Sequence, residues 1–183
     1  MPIMDLIQHR RSTRLYLDKP VEREKINQCL EAARLAPSAI NMQPWKFVVV
    51  DDKDTMDRLV KAAFRGLFSF NHWAAKAPAF VVVVIDRHGL LSTVMGAVRD
   101  TLRSLLDIGI ATEHLVLQAE ELGLGTCWMG GLDEKAVKRT LGIPGNKKVA
   151  AIIALGYPDT AEVKRPQERR TLGEMSAYNG WGS

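Results

Sequence analysis

The sequence predicts a sheet covered by helices, an α/β or α+β sandwich, and three observations lead there. Short runs rich in β-branched residues occur at Lys46–Val50, Phe80–Ile85 and Lys148–Leu155; helical patterns separate them; and proline or glycine marks where helices stop. The first helix is read over residues 22–35, where Ile26, Cys29, Leu30 and Ala33 recur at helical spacing. Pro37 ends it, because the residue before a proline is pushed out of helical geometry. From about Met95 to Leu122 there is no proline, and Leu102, Leu105, Leu106, Ile110, Leu115 and Ala119 nearly encircle a helix that Gly123 stops. Such a helix is about 40 Å long, and one so apolar must be buried on several sides, which points to a partner subunit. Asp133 reads as the N-cap of a helix ending near Gly142, after which Lys148–Leu155 returns as a strand. From Tyr157 the chain shows little periodicity but keeps Leu172, Met175, Tyr178 and Trp181 as docking points, as an arm laid over a partner would.

At 183 residues the expectation is one domain, 1–183, with 157–183 as its C-terminal arm. Hydrophobic residues at 46% and charged residues at 25% match an ordinary globular protein. Even the apolar run Ala79–Ile85 falls far short of the roughly 20 residues of a membrane-spanning helix. The opening MPIMDLIQHRRSTR has charge where a signal peptide is apolar, so the expected location is the cytoplasm. Cys29 and Cys127 fit neither a disulfide framework nor a zinc site and read as small buried apolar groups. A net charge of +4 suits an anionic ligand and is too small to argue for nucleic acid.

Three segments have the composition of a binding site. His9-Arg10-Arg11-Ser12-Thr13-Arg14 gathers three guanidinium groups and two hydroxyls, and arginine's planar fork suits phosphate; a solvated basic loop would look the same. In Ala36-Pro37-Ser38-Ala39-Ile40-Asn41-Met42-Gln43-Pro44-Trp45 two prolines stiffen a loop whose Ser38, Asn41 and Gln43 either read a heterocycle edge or satisfy their own backbone. Gly123-Leu124-Gly125-Thr126-Cys127-Trp128-Met129-Gly130-Gly131 fails the dinucleotide fingerprint, yet its glycines allow close approach to a flat ligand; the alternative is a helix stop followed by a strand. The four histidines lack metal-ligand spacing, and neither a G-x-S-x-G elbow nor a phosphate-binding P-loop occurs.

In this order RRSTR, APSAINMQPWKFVVV, GLGTCWMGGL and ALGYP resemble the nitroreductase family of FMN-dependent oxidoreductases over most of the chain. The resemblance implies an α+β sandwich with a mostly antiparallel central sheet, and an interlocked homodimer holding FMN at its interface. It assigns Arg10, Arg11, Ser12 and Arg14 to the FMN segment, with arginines on the phosphate. It assigns Pro37, Ser38, Ala39, Asn41 and Gln43 to the loop reaching the flavin held mainly by the other subunit. Asn71 corresponds to the amide at the pyrimidine edge, and Trp128, Met129, Gly130 and Gly131 to the backbone beside the reactive ring. The late basic residue on the phosphate is Arg169 or Arg170, or in a competing register Arg165.

The activity so implied is ping-pong transfer of electrons from NAD(P)H through FMN to a small acceptor such as a nitroaromatic, a quinone or a flavin. No side chain is expected to serve as acid, base or nucleophile, and no metal is expected. Two other readings remain: a family sibling performing reductive dehalogenation or flavin degradation, and a basic binding module without catalysis. The amide-rich loop and the glycine stretch favour a flavin over bare phosphate, which RRSTR alone would bind. Acceptor choice is expected to lie in the segments Phe64–Trp73 and Gly89–Gly96.

Overall fold

Every residue of Ala79–Ile85 is buried, and the reason is that both faces of its strand are covered. The computed structural model describes residues 1–86, 97–162 and 167–181, the side chains of 97–101 excepted. Gly89–Gly96, the proposed helix start at Met95, and Lys164-Arg165-Pro166 therefore lie outside the described residues. The elements are α1 (Ile3–His9), α2 (Arg23–Arg34), β1 (Trp45–Val50), α3 (Lys53–Ala63), a 3-10 stretch (Gly66–Lys76), β2 (Ala79–Ile85), α4 (Ala97–Glu121), β3 (Gly125–Met129), α5 (Glu134–Leu141), β4 (Lys148–Gly156) and α6 (Leu172–Met175).

The strands form one sheet in the order β1-β2-β4-β3, and every neighbouring pair is antiparallel. Alternate residues of β2 serve opposite cores, as the two-residue period of a strand requires. Val81, Val83 and Ile85 pack with Ile26, Cys29 and Ala33 of α2 and with Ile108, Leu115 and Ala119 of α4. Phe80, Val82 and Val84 pack with Leu59 and Ala63 of α3, Ala74 of the 3-10 stretch and Val137 of α5. Helices on both faces thus give an antiparallel strand the continuous apolar sequence more usual in parallel sheets.

Helices α2 and α4 run antiparallel. Lys25 Nζ donates to Leu122 O (3.2 Å), His114 Nδ1 lies 3.3 Å from Ala32 O, and the Ala39 N–H donates to Asp107 Oδ1 (3.2 Å). At its C-terminus α4 is closed by Gly123 at φ +75°, with the Leu124 N–H donating to Ala119 O (2.8 Å). Within the chain this helix is buried on one side only. Ile108, Ala111, Leu115 and Ala119 are buried, whereas Leu102, Leu106 and Ile110 are 62%, 70% and 42% exposed, a stripe at four-residue spacing.

Helix α5 is bounded as its sequence predicts: Asp133 accepts the Ala136 N–H (3.0 Å), and Gly142 adopts φ +65°. The tail departs from expectation at its start. Residues 157–159 run beside 15–17, with the Leu17 N–H donating to Tyr157 O (2.9 Å) and the Asp159 N–H to Leu15 O (3.0 Å). Beyond that, α6 is one turn closed by a Thr171–Glu174 capping box, and Leu172, Met175, Tyr178 and Trp181 are exposed. Among the described residues no helix is long and apolar enough to cross a membrane.

Candidate functional site

The edge strand β3 organises one end of the site. Ser12 pairs with Thr126 in parallel, and the Thr13 N–H donates to Thr126 O (2.9 Å), so the segment after α1 extends the sheet edge. Thr13 is buried directly on Gly125, where a Cβ would stand 2.5 Å from Thr13 Oγ1. Buried Tyr16 donates its hydroxyl hydrogen to Thr13 O (2.7 Å), and burial drives its phenol far above the ordinary range. On its other side the segment meets residues 157–162, and the Arg14 N–H donates to Glu162 Oε1 (2.8 Å). The segment is therefore an inserted ribbon, fixed on both edges.

This ribbon lines a cleft of about 630 Å³ together with Arg169 and Gln167. Arg11 folds back on the end of α1: its Nη1 donates to the carbonyl oxygens of Gln8, His9 (3.2 Å) and Arg10 (3.1 Å). Its Nε is buried with no hydrogen-bond partner. A buried guanidinium N–H left unpaired is costly, and an anionic acceptor would offset that cost. Arg10 Nε lies 4.0 Å from Glu113 Oε1, and Gln167 Nε2 donates to Arg10 O (2.8 Å). Burial pushes the Glu113 carboxyl up, with Arg10 opposing. Ser12 and Arg14 line the same cleft, as do Glu120, Asp159, Glu162 and Glu168. Of the late basic residues Arg169 borders the cleft, Arg170 is exposed and does not, and Arg165 is not described.

Arg14 also borders a second space of about 290 Å³, so the two adjoin. This hollow is lined by Phe70, Asn71 and Trp73 from the 3-10 stretch and by the backbone run Cys127–Gly131. The Arg14 guanidinium carbon sits 5.8 Å from the Trp73 ring centroid, within cation–π range. Asn71 is buried, and its Nδ2 donates to Gly131 O (3.0 Å), so part of its amide is spent holding the glycine backbone. Trp128 is partly exposed, while the Met129 side chain turns into the core and leaves its backbone at the hollow. Burial raises the Cys127 thiol above its ordinary value, Arg14 opposing, and it stays protonated at neutral pH.

The glycines divide against the simple expectation that they clear space for a ligand. Gly125 is there for Thr13, and Gly131 for Phe70, whose Cζ would lie 2.8 Å from a Cβ. Gly130 alone of these three has nothing within 4 Å of such a Cβ, so its open side is available. The reading of this stretch as a helix stop followed by a strand also holds, since β3 begins at Gly125.

The loop Pro37, Ser38, Ala39, Asn41 and Gln43 borders neither space. It is tied to Asp107, about two turns of α4 away from Glu113 and the ribbon. Ser38 Oγ accepts the Gln43 N–H (2.9 Å), and Gln43 Nε2 donates to Asn41 Oδ1 (3.1 Å). Ile40, Asn41 and Gln43 all adopt positive φ, at 48°, 58° and 45°, which is unfavourable for a β-branched residue such as Ile40.

Phe70 and Trp73 lie within Phe64–Trp73, the segment expected from the sequence to govern acceptor choice, though neither was singled out there. Gln167 meets Arg10 across 157 residues, and Glu113 meets it from α4; neither carries a local pattern. Among the described residues no group of histidine, cysteine or acidic side chains could hold a metal.

Residues 7–157 match the profile of the nitroreductase family. The chain is 36% identical over 159 residues to a provisionally named NADH dehydrogenase/NAD(P)H nitroreductase of Archaeoglobus fulgidus, covering 85% of this chain and 84% of that protein. It is 30% identical to the 5,6-dimethylbenzimidazole synthase of Rhodospirillum rubrum, covering 97% and 88%. The solved structure of an FMN-dependent nitroreductase of Clostridium difficile R20291 superposes with a TM-score of 0.77 at 30% identity, covering 97% of this chain and 99% of the other. With its antiparallel four-stranded α+β sandwich, the chain belongs to the nitroreductase family.

Proposed function

We propose that this protein is an FMN-dependent oxidoreductase that takes electrons from NAD(P)H and delivers them to a small nitroaromatic, quinone or flavin acceptor. The observation that carries the reading is the junction at Arg14 of a cleft bordered by Arg10, Arg11 and Arg169, whose Arg11 Nε is buried without a partner, with an aromatic hollow floored by Gly130. One space suits a phosphate and the other a planar ring, which is the bipartite form of FMN.

In this reading Arg10, Arg11 and Arg169 hold the phosphate by charge-assisted hydrogen bonds, with Ser12 and Arg14 completing the cradle. Asn71 keeps the Gly130–Gly131 backbone in place and offers its remaining amide capacity to a ring edge. Trp128 and Met129 present backbone groups beside it. FMN, when bound, supplies reversible two-electron chemistry that no side chain here possesses. The protein contributes position and charge, and no protein acid, base or nucleophile is assigned. The loop Pro37–Gln43 would complete the site of a second protomer, in keeping with its place away from its own cleft. The exposed Leu102–Leu106–Ile110 stripe and the apolar arm support a homodimer, with residues 1–183 forming one domain.

The purified protein should be yellow, carry about one FMN per subunit, and bleach on anaerobic addition of NADH or NADPH. A preparation that stays colourless after incubation with FMN overturns the reading. The likeness to a 5,6-dimethylbenzimidazole synthase favours a second reading, flavin degradation. Under aerobic turnover with excess reduced FMN, that reading predicts loss of the flavin, whereas the first predicts its full recovery.

A further inference from the structure

The carbonyl oxygen of Arg10 is held from two sides. It accepts Arg11 Nη1 (3.1 Å) from the ribbon, and Gln167 Nε2 (2.8 Å) from the arm, 157 residues further along the chain. The first of these bonds belongs to a set. The same Nη1 also donates to the carbonyls of Gln8 and His9, so the Arg11 guanidinium is braced on the end of α1. Arg10 is where the chain leaves that helix, at φ −52° and ψ 129°. The Arg10–Arg11 peptide therefore lies between the last bond of α1, Arg10 N–H to Leu6 O (2.9 Å), and the bond of the ribbon to β3, Thr13 N–H to Thr126 O (2.9 Å). Side chains, rather than helix or sheet, hold its carbonyl.

That peptide carries Arg11, whose Nε is buried without a partner. If the peptide rotated, Nη1 would lose its carbonyls and the guanidinium could turn to water, which satisfies every N–H with no ligand present. Holding the unpaired donor in place is the costly alternative, and it needs an anchor outside the ribbon. Gln167 supplies one from the arm. Being an amide, it donates without adding charge to a cleft where arginines already face carboxylates.

We propose that Gln167 is a positioning residue of the phosphate site, which raises FMN affinity without contacting the phosphate: it holds the Arg10 carbonyl on which Arg11 is braced. This rests on the FMN reading above, and deepens it by tying retention of the cofactor to the arm. Arg169, two residues on, borders the cleft in its own right, so the arm acts twice, by alignment at 167 and by charge at 169. The two are separable, because alignment passes through Arg11 and charge does not.

The test starts from FMN-loaded protein and reads FMN release on dilution by the recovery of flavin fluorescence. Wild type is compared with Gln167→Ala, Gln167→Met, Arg11→Ala, Arg169→Ala, and Gln167→Ala combined with each arginine change. Methionine keeps the length of glutamine and lacks its donor. Both substitutions at 167 should raise the Kd for FMN about tenfold, equivalent to about 1.4 kcal/mol. In the Arg11→Ala background Gln167→Ala should add less than about twofold, since both act through one guanidinium; with Arg169→Ala it should again add about tenfold. Unchanged release in Gln167→Ala, retained affinity in Gln167→Met, or a full tenfold loss in the Arg11→Ala background would each overturn the proposal and leave the FMN reading intact. A melting midpoint of FMN-free Gln167→Met lowered enough to account for its lost affinity would overturn it too, by making the contact a general support of the fold. A wild-type protein that takes up no FMN brings down both readings together.

Discussion

The cleft and the hollow share Arg14 but are built on opposite plans. The cleft gathers donors from α1, the ribbon and the segment after residue 166, and leaves one of them, Arg11 Nε, buried without a partner. In the hollow the polar groups largely satisfy one another, as Asn71 does with Gly131 O, and what remains is shape. An unpaired buried donor makes the binding of an anion favourable wherever the anion comes from. A shaped aromatic space distinguishes one planar molecule from another. Affinity for the cofactor should therefore reside in the cleft, and choice among electron acceptors in the hollow.

The largest expected effect follows from the orphaned donor. Arg11→Ala should weaken FMN binding by about 1.5–3 kcal/mol, roughly ten- to a hundredfold, with the fold retained, as measured by flavin fluorescence on dilution. Unchanged affinity would shift the work of the cleft to other residues and erase the contrast. Next comes the support of the ribbon. Gly125→Ala drives a methyl into Thr13 and should cost about 1–3 kcal/mol of stability in urea unfolding. Thr13→Ala should recover part of that loss, and a second variant that fails to recover any would show that the strain lies elsewhere.

A smaller effect sharpens the hollow side. Asp133 accepts the Ala136 N–H and pairs with Arg65 at 3.0 Å, tying α5 to the entry of the 3-10 stretch. The Ala136 N–H first, then Arg65, hold its carboxyl below its ordinary value of 3.8. A carboxylate whose folded pKa is depressed stabilises the fold above its unfolded pKa, and that stabilisation is lost as pH falls through the folded value. Asparagine caps a helix about as well as aspartate, so Asp133→Asn should lower the melting midpoint only slightly at neutral pH, by the charge contribution alone. The difference from wild type should close as the solution is acidified below about pH 4; a gap that persists in acid would mean shape rather than charge is at stake. The least effect is expected from Cys127→Ser. Its thiol is held protonated by burial, so flavin reduction and reoxidation should stay within about tenfold in single-turnover measurements, or about 1.4 kcal/mol of barrier. A thousandfold loss with flavin retained would reveal a catalytic thiol in the hollow.

Much of this was legible in the residues themselves, and the gaps have physical causes. The strands β1, β2 and β4 show as branched apolar runs because both faces of their sheet are covered. Strand β3 does not, since the partly exposed Trp128 and Gly125 break the pattern, and Gly125 is there for its contact with Thr13, which sequence periodicity does not encode. The arginines of the ribbon were readable as a phosphate-binding composition. That Arg11 would spend Nη1 on carbonyls of α1 and strand its Nε was not, because it depends on how the helix ends. The family resemblance pointed to Asn71, yet its contact with Gly131 lies 60 residues away and emerges only on folding. The long helix was read as buried on several sides, whereas the chain alone covers one, leaving Leu102, Leu106 and Ile110 exposed.

The strand order has a consequence for synthesis. Strand β2 lies between β1 and β4, but β4 closes only at Gly156, 71 residues after Ile85. At roughly 5–20 residues per second of translation, one edge of a wholly apolar strand stays unpaired for about 4–14 s on the ribosome. In that interval Ala79–Ile85 is the segment most open to pairing with another nascent chain, since edge backbone groups and an apolar face are the ingredients of cross-chain sheet formation. Slower translation between residues 86 and 148 should therefore lower the soluble yield.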